Sequence, residues 1–477
     1  MIGVRFTRLA LASACTVALA GCVSMAPRYQ RPDAPVAAQF RDAGAGEATA
    51  APVSTLDWRQ VFLDPQLQQV IALALDNNRD LRAAVLNIEK ARAEYRIERA
   101  DLLPTVDASG SYTAERTTTD GTSQVSRSAS ASVGFSSWEL DLFGRIRSLK
   151  NEALETYLAT EQTQRDTRLS LVAEVATDWL TVAADQQLLA LAQKTLESQR
   201  RTLALTEREH ELGVVSGVDL ASVQSSVESA RADVASYSTS VAQARNALEL
   251  VVGTTLPDNL LPDPNSGIDA VALAPLPAGL SSTVLLQRPD VLYAEHTLKA
   301  ANADVGAARA AFFPTITLTA SAGRSSDQLS DLFKGAAGRT WSFVPSISIP
   351  IFHAGALKAE LDEAKIEKNI YIADYEKAIQ SAFSEVADAL AERAHVDEQL
   401  DAQRAYVDAT RRSYELGEAR YRNGVDSYLD VLTTQRSYYS AQEDLINLRL
   451  TEASNRVTLY KVLGGGADAQ SGSPAAQ

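Results

Sequence analysis

Cysteine and histidine are scarce in this 477-residue chain, which has two cysteines and four histidines. Two cysteines are too few for a disulfide-stapled scaffold. The histidines (His210, His296, His353 and His395) lack the His-Glu-x-x-His spacing of a zinc hydrolase. A phosphate-binding Gly-x-x-x-x-Gly-Lys-Ser/Thr loop and a Gly-x-Ser-x-Gly nucleophile elbow are also missing. The sequence therefore predicts no catalysis, no ATP-driven pumping, and neither a metal nor another cofactor.

An excess of basic residues is missing as well. The chain has 60 Asp and Glu against 45 Lys and Arg, which gives a formal net charge of −15. Proteins that bind nucleic acid usually cluster Lys and Arg on one surface. We therefore expect no nucleic-acid partner, and an acidic surface or lumen instead.

Long hydrophobic runs are absent too, since the apolar stretch 9–20 is shorter than the ~20 residues of a spanning helix. It follows Arg5 and Arg8, and this pattern is typical of a secretory signal. The residues before Cys22, "LAGC", resemble the lipobox of bacterial lipoproteins. That resemblance implies removal of residues 1–21, lipid on Cys22, and, with valine next in the chain, passage to the outer membrane. An ordinary signal that contains a cysteine is the alternative.

Proline is absent from two stretches of roughly 100 residues, 146–252 and 356–463, and glycine is rare in both. Apolar residues recur there with the 3-and-4 spacing of a helix. Each stretch therefore predicts a helical hairpin, with outgoing arms at 145–212 and 357–423 that are each ~100 Å long. The return arms are predicted at 218–252 and 425–463, with tips near 213–217 and 423–427.

The chain repeats itself at an interval of about 210 residues. "RADLLPTVDASGSYT" at 99–113 corresponds to "RAAFFPTITLTASAG" at 309–323, and "LGVVSGVDLASVQ" at 212–224 corresponds to "NGVDSYLDVLTTQ" at 423–435. The order of matching segments is the same in both halves. This indicates a tandem duplication, because the interval is several times too long for a solenoid.

Each half begins with a predicted helix, 66–103 or 283–313, that ends at a proline. Period-2 alternation follows and predicts β-hairpins at 105–142 and 315–351. The apolar phase slips at Ser136-Ser137, which predicts a β-bulge.

The predicted strands are polar on one face and apolar on the other, and their length suits a membrane-spanning strand of ~9–11 residues. Four strands cannot close into a barrel, and an open sheet in lipid leaves unsatisfied backbone groups at both edges. Several chains must then combine their strands. A soluble sheet packed on the helices is the alternative that alternation leaves open.

Several motifs resemble the outer membrane factor (TolC-like) family, lipoprotein branch. They are "APRYQRPDAP" at 26–35, "WRQVFLDPQLQQVIALALDNNRDLRAA" at 58–84, "WELDLFGR" at 138–145 and "YRNGVDSYLDVLTTQRSYYSAQ" at 421–442. The resemblance implies a mainly α fold with a small β part, assembled as a homotrimer with a 12-stranded β-barrel and a 12-helix α-barrel tunnel. It also implies a passive exit duct in the outer membrane, docked to a periplasmic adaptor and an inner-membrane RND transporter.

The resemblance places function at the hairpin tips. Asp430 falls on the position of an inward acidic ring, and Tyr421 and Asp219 fall on a linking pair. Asp426 stands where a basic linker can occur, so the resemblance does not extend to that link. Four residues match the tips that meet the adaptor, namely Gly213, Val214, Gly424 and Val425. Turn chemistry is the simpler reading of the aspartates, since aspartate caps helix starts.

Two other functions are compatible with parts of this pattern. A type I protein-secretion duct would need the same architecture, because the pump chooses the cargo. A structural coiled-coil envelope lipoprotein would use the helices but has no need of the strands. The predicted organisation is a signal at 1–21, an extended segment at 22–65, repeat 1 at 66–252, an equatorial linker at 253–282, repeat 2 at 283–463 and a flexible tail at 464–477.

Overall fold

The computed structural model describes residues 24–41, 57–119, 122–263, 268, 281–334 and 337–465. The predicted signal 1–21, the lipidation site Cys22, most of the tail and much of the linker 253–282 lie outside the described residues. The described chain is mainly helical and contains one four-stranded antiparallel sheet. The predicted fold class, mainly α with a small β part and duplicated helical hairpins, is confirmed.

The elements follow the predicted order in both halves. The helices are α1 (Trp58–Val61), α2 (Pro65–Asn77), α3 (Arg79–Ala100), α4 (Arg145–Glu211), α5 (Gly217–Val252), α6 (Pro289–Ala310), α7 (Ala356–Arg422) and α8 (Tyr428–Val462). The strands are β1 (Asp107–Thr119), β2 (Thr122–Glu139), β3 (Thr315–Ser326) and β4 (Gly338–Ser348). Short 3₁₀ turns cover Asp258–Leu260, Ser282–Gln287 and Leu329–Asp331.

The chain divides into two compact units. The first combines Met1–Asp33, Asn87–Glu161 and Tyr293–Glu376, and it contains the sheet. The second combines Ala34–Leu86, Gln162–Leu292 and Lys377–Gln477, and it contains both hairpin tips. Its core includes Leu67, Trp179, Leu180, Leu248 and Tyr460, each at most 2% exposed.

The long arms α4 and α7 are each a single helix of 67 residues. Their bounds lie within one residue of the predicted arms, because no proline interrupts them and a glycine follows each end. The last return arm is shorter than predicted, since α8 begins at Tyr428 rather than 425.

The prediction of one continuous helix over 66–103 is wrong. Asn78 has an extended backbone (φ −61°, ψ 134°) and separates α2 from α3. Its side-chain oxygen accepts from the Leu81 N–H at 2.8 Å, so it starts α3 as an N-cap. The helix also ends at Ala100, three residues short of the prediction.

The predicted helix 283–313 is interrupted at the corresponding position. Ser282–Gln287 forms a 3₁₀ turn, and α6 starts only at Pro289, because a proline disfavours helical backbone at the residue before it. Asn78 Nδ2 donates to the Val251 carbonyl at 2.8 Å, and Arg288 Nη1 donates to the Val462 carbonyl at 2.7 Å. The same contact therefore occurs in both repeats with different side chains.

The sheet has the strand order β1-β2-β3-β4, so β1 and β4 are its edges. The predicted bulge is confirmed: the β2–β3 register shifts between Phe135 and Trp138, and Ser137 has a φ of 53°. The hairpins are shorter than predicted, since β2 ends at Glu139 and β4 ends at Ser348. The serine side chains of one face bond across the strands at 2.7 to 3.0 Å, in the pairs Ser109–Ser132, Ser111–Ser130 and Ser321–Ser342.

Candidate functional site at the helical hairpin tips

The two hairpin tips are built from the same turn. Gly213 and Gly424 have φ values of 73° and 69°, in the left-handed region that glycine adopts without strain. In the first tip the Val214 N–H donates to the Glu209 carbonyl at 2.9 Å; in the second the Val425 N–H donates to the Arg420 carbonyl at 3.0 Å. This is the Schellman arrangement, which satisfies the last carbonyls of each long helix.

Both predicted aspartates lie three residues after the serine that caps the next helix, and each bonds to that serine. Ser216 Oγ donates to Asp219 Oδ2 at 2.7 Å, and Ser427 Oγ donates to Asp430 Oδ2 at 2.8 Å. The Ser427 N–H also donates to Asp430, which completes a capping box. Asp430 is exposed, so its second oxygen remains open to solvent.

Asp426 forms a bidentate ion pair with Arg420 of the same hairpin. The two Arg420 nitrogens donate to the carboxylate at 2.5 and 2.7 Å. The hydrogen bonds from Arg420 hold the pKa of Asp426 below its usual range. The acid at this position is thus neutralised by its own chain and ties the two sides of the second tip together.

Tyr421 lies between the two hairpins. Burial raises the pKa of Tyr421, and the carboxylates of Glu209 and Asp219 raise it further, so the phenol stays neutral beside the first hairpin. Its ring meets Tyr428 edge to face, with the centroids 5.3 Å apart. The structure thus brings Tyr421 near Asp219, while the Asp219 carboxylate bonds to Ser216.

An apolar cluster joins the hairpins just behind the tips. Val223 of α5 packs with three residues of α8, Tyr428, Val431 and Leu432, all at most 6% exposed. Leu203, Tyr414 and Tyr421 cover this cluster. Farther from the turns, Gln199 Nε2 donates to Gln435 Oε1 at 2.7 Å. The two hairpins of one chain are therefore held together by apolar packing and a side-chain amide bond.

The outer surface of the tips is apolar and exposed. Val214 is 74% exposed and Val425 is 61% exposed, and they occupy equivalent positions after the two glycines. Leu212, Val218 and Leu429 extend the same surface, at 64% exposure or more. Such a concentration of exposed apolar side chains is typical of a protein-binding surface.

Sequence reasoning missed Arg420, Glu209 and Tyr428. Arg420 and Asp426 are six residues apart across a turn, a spacing outside the helical i,i+3 and i,i+4 rules. Tyr428 is the first residue of α8, so too few helical residues precede it for the apolar spacing to show which face is buried. Equivalent positions in the repeats gave no signal, because Val215 in the first tip corresponds to Asp426 in the second.

Other kinds of site find no support in the part of the chain that the structure describes. That part contains no group of three or more His, Cys, Asp or Glu side chains placed to hold a metal ion. Its helices also include none with an apolar stretch long enough for a membrane crossing.

Known proteins match this chain over nearly its whole length. The family model described as outer membrane efflux protein matches residues 70–254 and 280–465. The probable efflux pump outer membrane protein TtgC of Pseudomonas putida is 48% identical over 473 residues, which cover 98% of this chain and 97% of the relative. The cation efflux system protein CusC of Escherichia coli O157:H7 is 40% identical over 454 residues, which cover 94% and 97% of the two chains.

A solved structure agrees with these sequence matches. The open state of the Neisseria gonorrhoeae MtrE outer membrane channel superposes with a TM-score of 0.84 and 39% identity, covering 93% of this chain and 99% of that one. The function class implied by the sequence, an outer-membrane efflux channel, is confirmed. Both repeats match the family model, so the chain belongs to the outer membrane efflux protein family.

Proposed function

We propose that this chain is the passive exit duct of a tripartite efflux system and that it works as a homotrimer in the outer membrane. The observation that carries the proposal is a two-faced sheet with two unpaired edges in a chain of the efflux family. The apolar face is exposed: Trp341 is 80% exposed, Phe343 59% and Ile347 60%. Water would not favour such a surface, whereas lipid would cover it.

The opposite face suits a water-filled interior. It carries the bonded serines of the four strands, and two glycines on this side mark a close approach of β2 and β3. A Cβ added at Gly134 would lie 2.6 Å from Ser321 Cα, and one added at Gly323 would lie 2.8 Å from Ser132 Cα. Crowding on one face is expected when a sheet coils with that face inward, so the hydroxyl-rich face lines the lumen.

Closure requires further copies of the chain. The edges β1 and β4 present unpaired N–H and C=O groups, which are costly in hydrocarbon. Three chains would supply twelve strands, with β4 of one protomer beside β1 of the next. The internal duplication supplies the geometry of that contact, because β4 is the counterpart of β2 and β1 is the counterpart of β3.

The β2–β3 contact therefore predicts the register between protomers. Trp138 pairs with Leu318, and Phe135 pairs with Ala320. Each residue is now replaced by its counterpart in the other repeat, about 210 residues away. The two pairs become Ile347 with Ala108 and Pro345 with Gly110, where Ala108 and Gly110 belong to the next protomer. In this register Ser346 meets Ser109, Ser342 meets Thr113, and Phe343 faces Tyr112, while Val344 meets Ser111 on the polar face. The stagger that this register produces around a twelve-stranded barrel corresponds to a tilt of the strands of roughly 45° from the barrel axis, as barrels of this kind require.

Disulfide trapping tests both the trimer and its register. Phe343→Cys combined with Tyr112→Cys should give covalent trimers under mild oxidation in outer membranes, because directly opposed Cβ atoms are ~5 Å apart. Phe343→Cys with Ser111→Cys is the matched control, since Ser111 lies on the other face. The proposal fails if the control cross-links as well as the test pair, or if neither gives any multimer.

The tips are proposed as the gate of this duct. Three copies of Asp430 would face one another across the opening. Asp219 and Tyr421 would link neighbouring hairpins, while Asp426 holds the second tip to Arg420 of the same hairpin. Like charges brought together repel, so packing must hold the closed state. The cap bonds to Ser427 and the Arg420–Asp426 pair support this assignment, because they fix the acidic side chains to the turn.

The exposed apolar turns are proposed as the contact with the periplasmic adaptor. Gly213, Val214, Gly424 and Val425 would dock onto it, and the adaptor would couple the duct to an inner-membrane RND transporter. An adaptor that binds separated tips more tightly than closed ones would increase the population of the open gate. The pump selects the cargo. TtgC and CusC are both named as efflux proteins, which favours efflux over type I protein secretion for this chain. A non-conducting strut has no use for the sheet.

A lipid on Cys22 is proposed as a second membrane anchor. The segment that follows lies along α6: Pro27 O accepts from Asn302 at 2.8 Å, and Arg31 pairs with Glu295 at 2.5 Å. Arg309, near the end of α6, donates to Met25 O at 3.3 Å. Because β3 follows α6 directly, this path leads the N-terminus toward the strands and hence toward lipid.

A further inference from the structure

Each strand of the sheet carries one arginine, and the register places all four on the apolar face. Arg324 of β3 is directly opposite Arg339 of β4. Arg116 of β1 is opposite Val125, and Arg127 of β2 is opposite Ala114. On β3 and β4 the same face carries the pairs Ile316–Ile347, Ala320–Phe343 and Ala322–Trp341. The apolar face therefore carries a regular pattern, with one arginine on every strand.

The directly opposed pair Arg324–Arg339 lacks an acidic partner among the described strand residues. The strand acids Asp107, Glu115 and Glu139 pair with Gly134, Ser126 and Thr317, which lie on the other face. Asp331, in the turn that joins β3 to β4, is paired with Lys334 at 3.5 Å. Two like charges directly opposite each other destabilise a sheet unless an anion lies between them.

The arginines lie at the end of the strands that is away from the helices. Along β3 the apolar residues Ile316, Leu318, Ala320 and Ala322 come first, and Arg324 follows two residues before the strand ends. Along β4 Arg339 comes directly after the turn and precedes Trp341. The pair therefore borders the apolar band at its turn-side edge, which in an outer-membrane duct is the level of the outer-leaflet headgroups.

The predicted register adds a third arginine to this pair. The same transfer that sets Phe343 opposite Tyr112 sets Arg339 opposite Arg116 of the next protomer. Three guanidinium groups on adjacent strands would then share one level at each seam. Arginine forms bidentate bonds with phosphate oxygens, and its long stem allows the charge to reach the headgroup region while the methylenes stay in the apolar layer.

We propose that Arg324 and Arg339, with Arg116 of the next protomer, bind the phosphate groups of a glycolipid in the outer leaflet. The inference rests on the proposed trimeric duct, because the level of the pair in the membrane and the third arginine both depend on it. The bound phosphate offsets the repulsion within the pair and ties each seam of the trimer to the surrounding lipid. The site is thus a lipid-binding girdle rather than part of the conduction path.

The test compares purified trimers in detergent with and without bis-phosphorylated lipid A. Lipid A should raise the melting temperature of the wild-type trimer and be retained in native mass spectra. Arg324→Gln combined with Arg339→Gln should weaken retention by roughly tenfold or more, since it removes both charge-assisted pairs. Without lipid A the double variant should melt at the same temperature as the wild type or higher, because the opposed charges are gone.

Matched controls separate this site from general charge effects. Arg200→Gln with Arg201→Gln removes the same charge from exposed positions on α4 and should leave lipid A retention unchanged. Dephosphorylated lipid A should bind the wild type no better than the double variant, and millimolar inorganic phosphate should compete only weakly. Equal retention of lipid A by the double variant and the wild type, both as intact trimers, would overturn the inference. If the wild-type chain forms no trimer, that result would instead count against the proposed duct.

Discussion

Alanine at Gly134 should prevent the sheet from forming, whereas alanine at Gly110 should leave it intact. A Cβ at Gly134 presses on the Ala320 carbonyl oxygen and lies 2.6 Å from Ser321 Cα, both of them backbone atoms of the neighbouring strand. They cannot move aside without breaking the β2–β3 ladder. At Gly110 the nearest atom is 3.9 Å away, so the same methyl group meets only ordinary contact.

The measurement is the yield of trimer in outer membranes that resists dissociation by detergent at room temperature. We expect a fall of about tenfold or more for Gly134→Ala, because contacts under 3 Å with backbone force the strands apart. Gly323→Ala should behave in the same way, since its Cβ would lie 2.7 Å from Ser132 Cβ. A wild-type yield from Gly134→Ala would show that the polar face is not the crowded, inward face.

Removing the ring of Tyr428 should release the two hairpins from each other at the tips. Tyr428 is 6% exposed and packs with Val223, Val431 and Leu432, and burial raises its pKa to about 12, so it stays neutral. Truncation of a buried aromatic side chain to alanine costs about 3 kcal/mol. If that packing holds the closed state, the ratio of open to closed tips rises roughly a hundredfold.

The expected result of Tyr428→Ala is faster amide exchange at both tips and increased entry of a large antibiotic such as vancomycin into cells. Tyr406→Ala is the control, because Tyr406 lies on α7 and is 50% exposed. Faster exchange without increased entry would mean that the cluster only stabilises the hairpins and that the gate lies elsewhere.

The long elements were predictable from sequence because one rule decides each of them. Proline is absent from α4 and α7, and Gly213 and Gly424 mark where they end, so the bounds agree to within one residue. The bulge was predictable because the apolar phase slips visibly at Ser136-Ser137. In each case residues next to one another in the sequence determine where the helix ends or where the bulge lies.

The interruptions at Asn78 and Arg288 were missed because their reasons are partly tertiary. Asn78 bonds to the carbonyl of Val251, and Arg288 bonds to that of Val462, both more than 170 residues away along the chain. Caps such as Asn78 have a sequence signal, but the apolar periodicity on both sides outweighed it.

The tip residues were only partly predictable for a related reason. Asp219 and Asp430 follow serines by three residues, and this spacing is the capping signal. The Arg420–Asp426 pair depends on how the turn folds back, and the contact of Tyr421 with Glu209 depends on how one hairpin packs on the other. No periodicity in one hairpin contains that information.

Single-channel conductance in planar bilayers tests the central claim, a water-filled duct closed at its tips, most directly. Purified wild-type trimers should give discrete ohmic steps of low conductance, and Tyr428→Ala trimers should give steps several times larger. If verified trimers of Tyr428→Ala insert into the bilayer and carry no current, the chain does not form a duct.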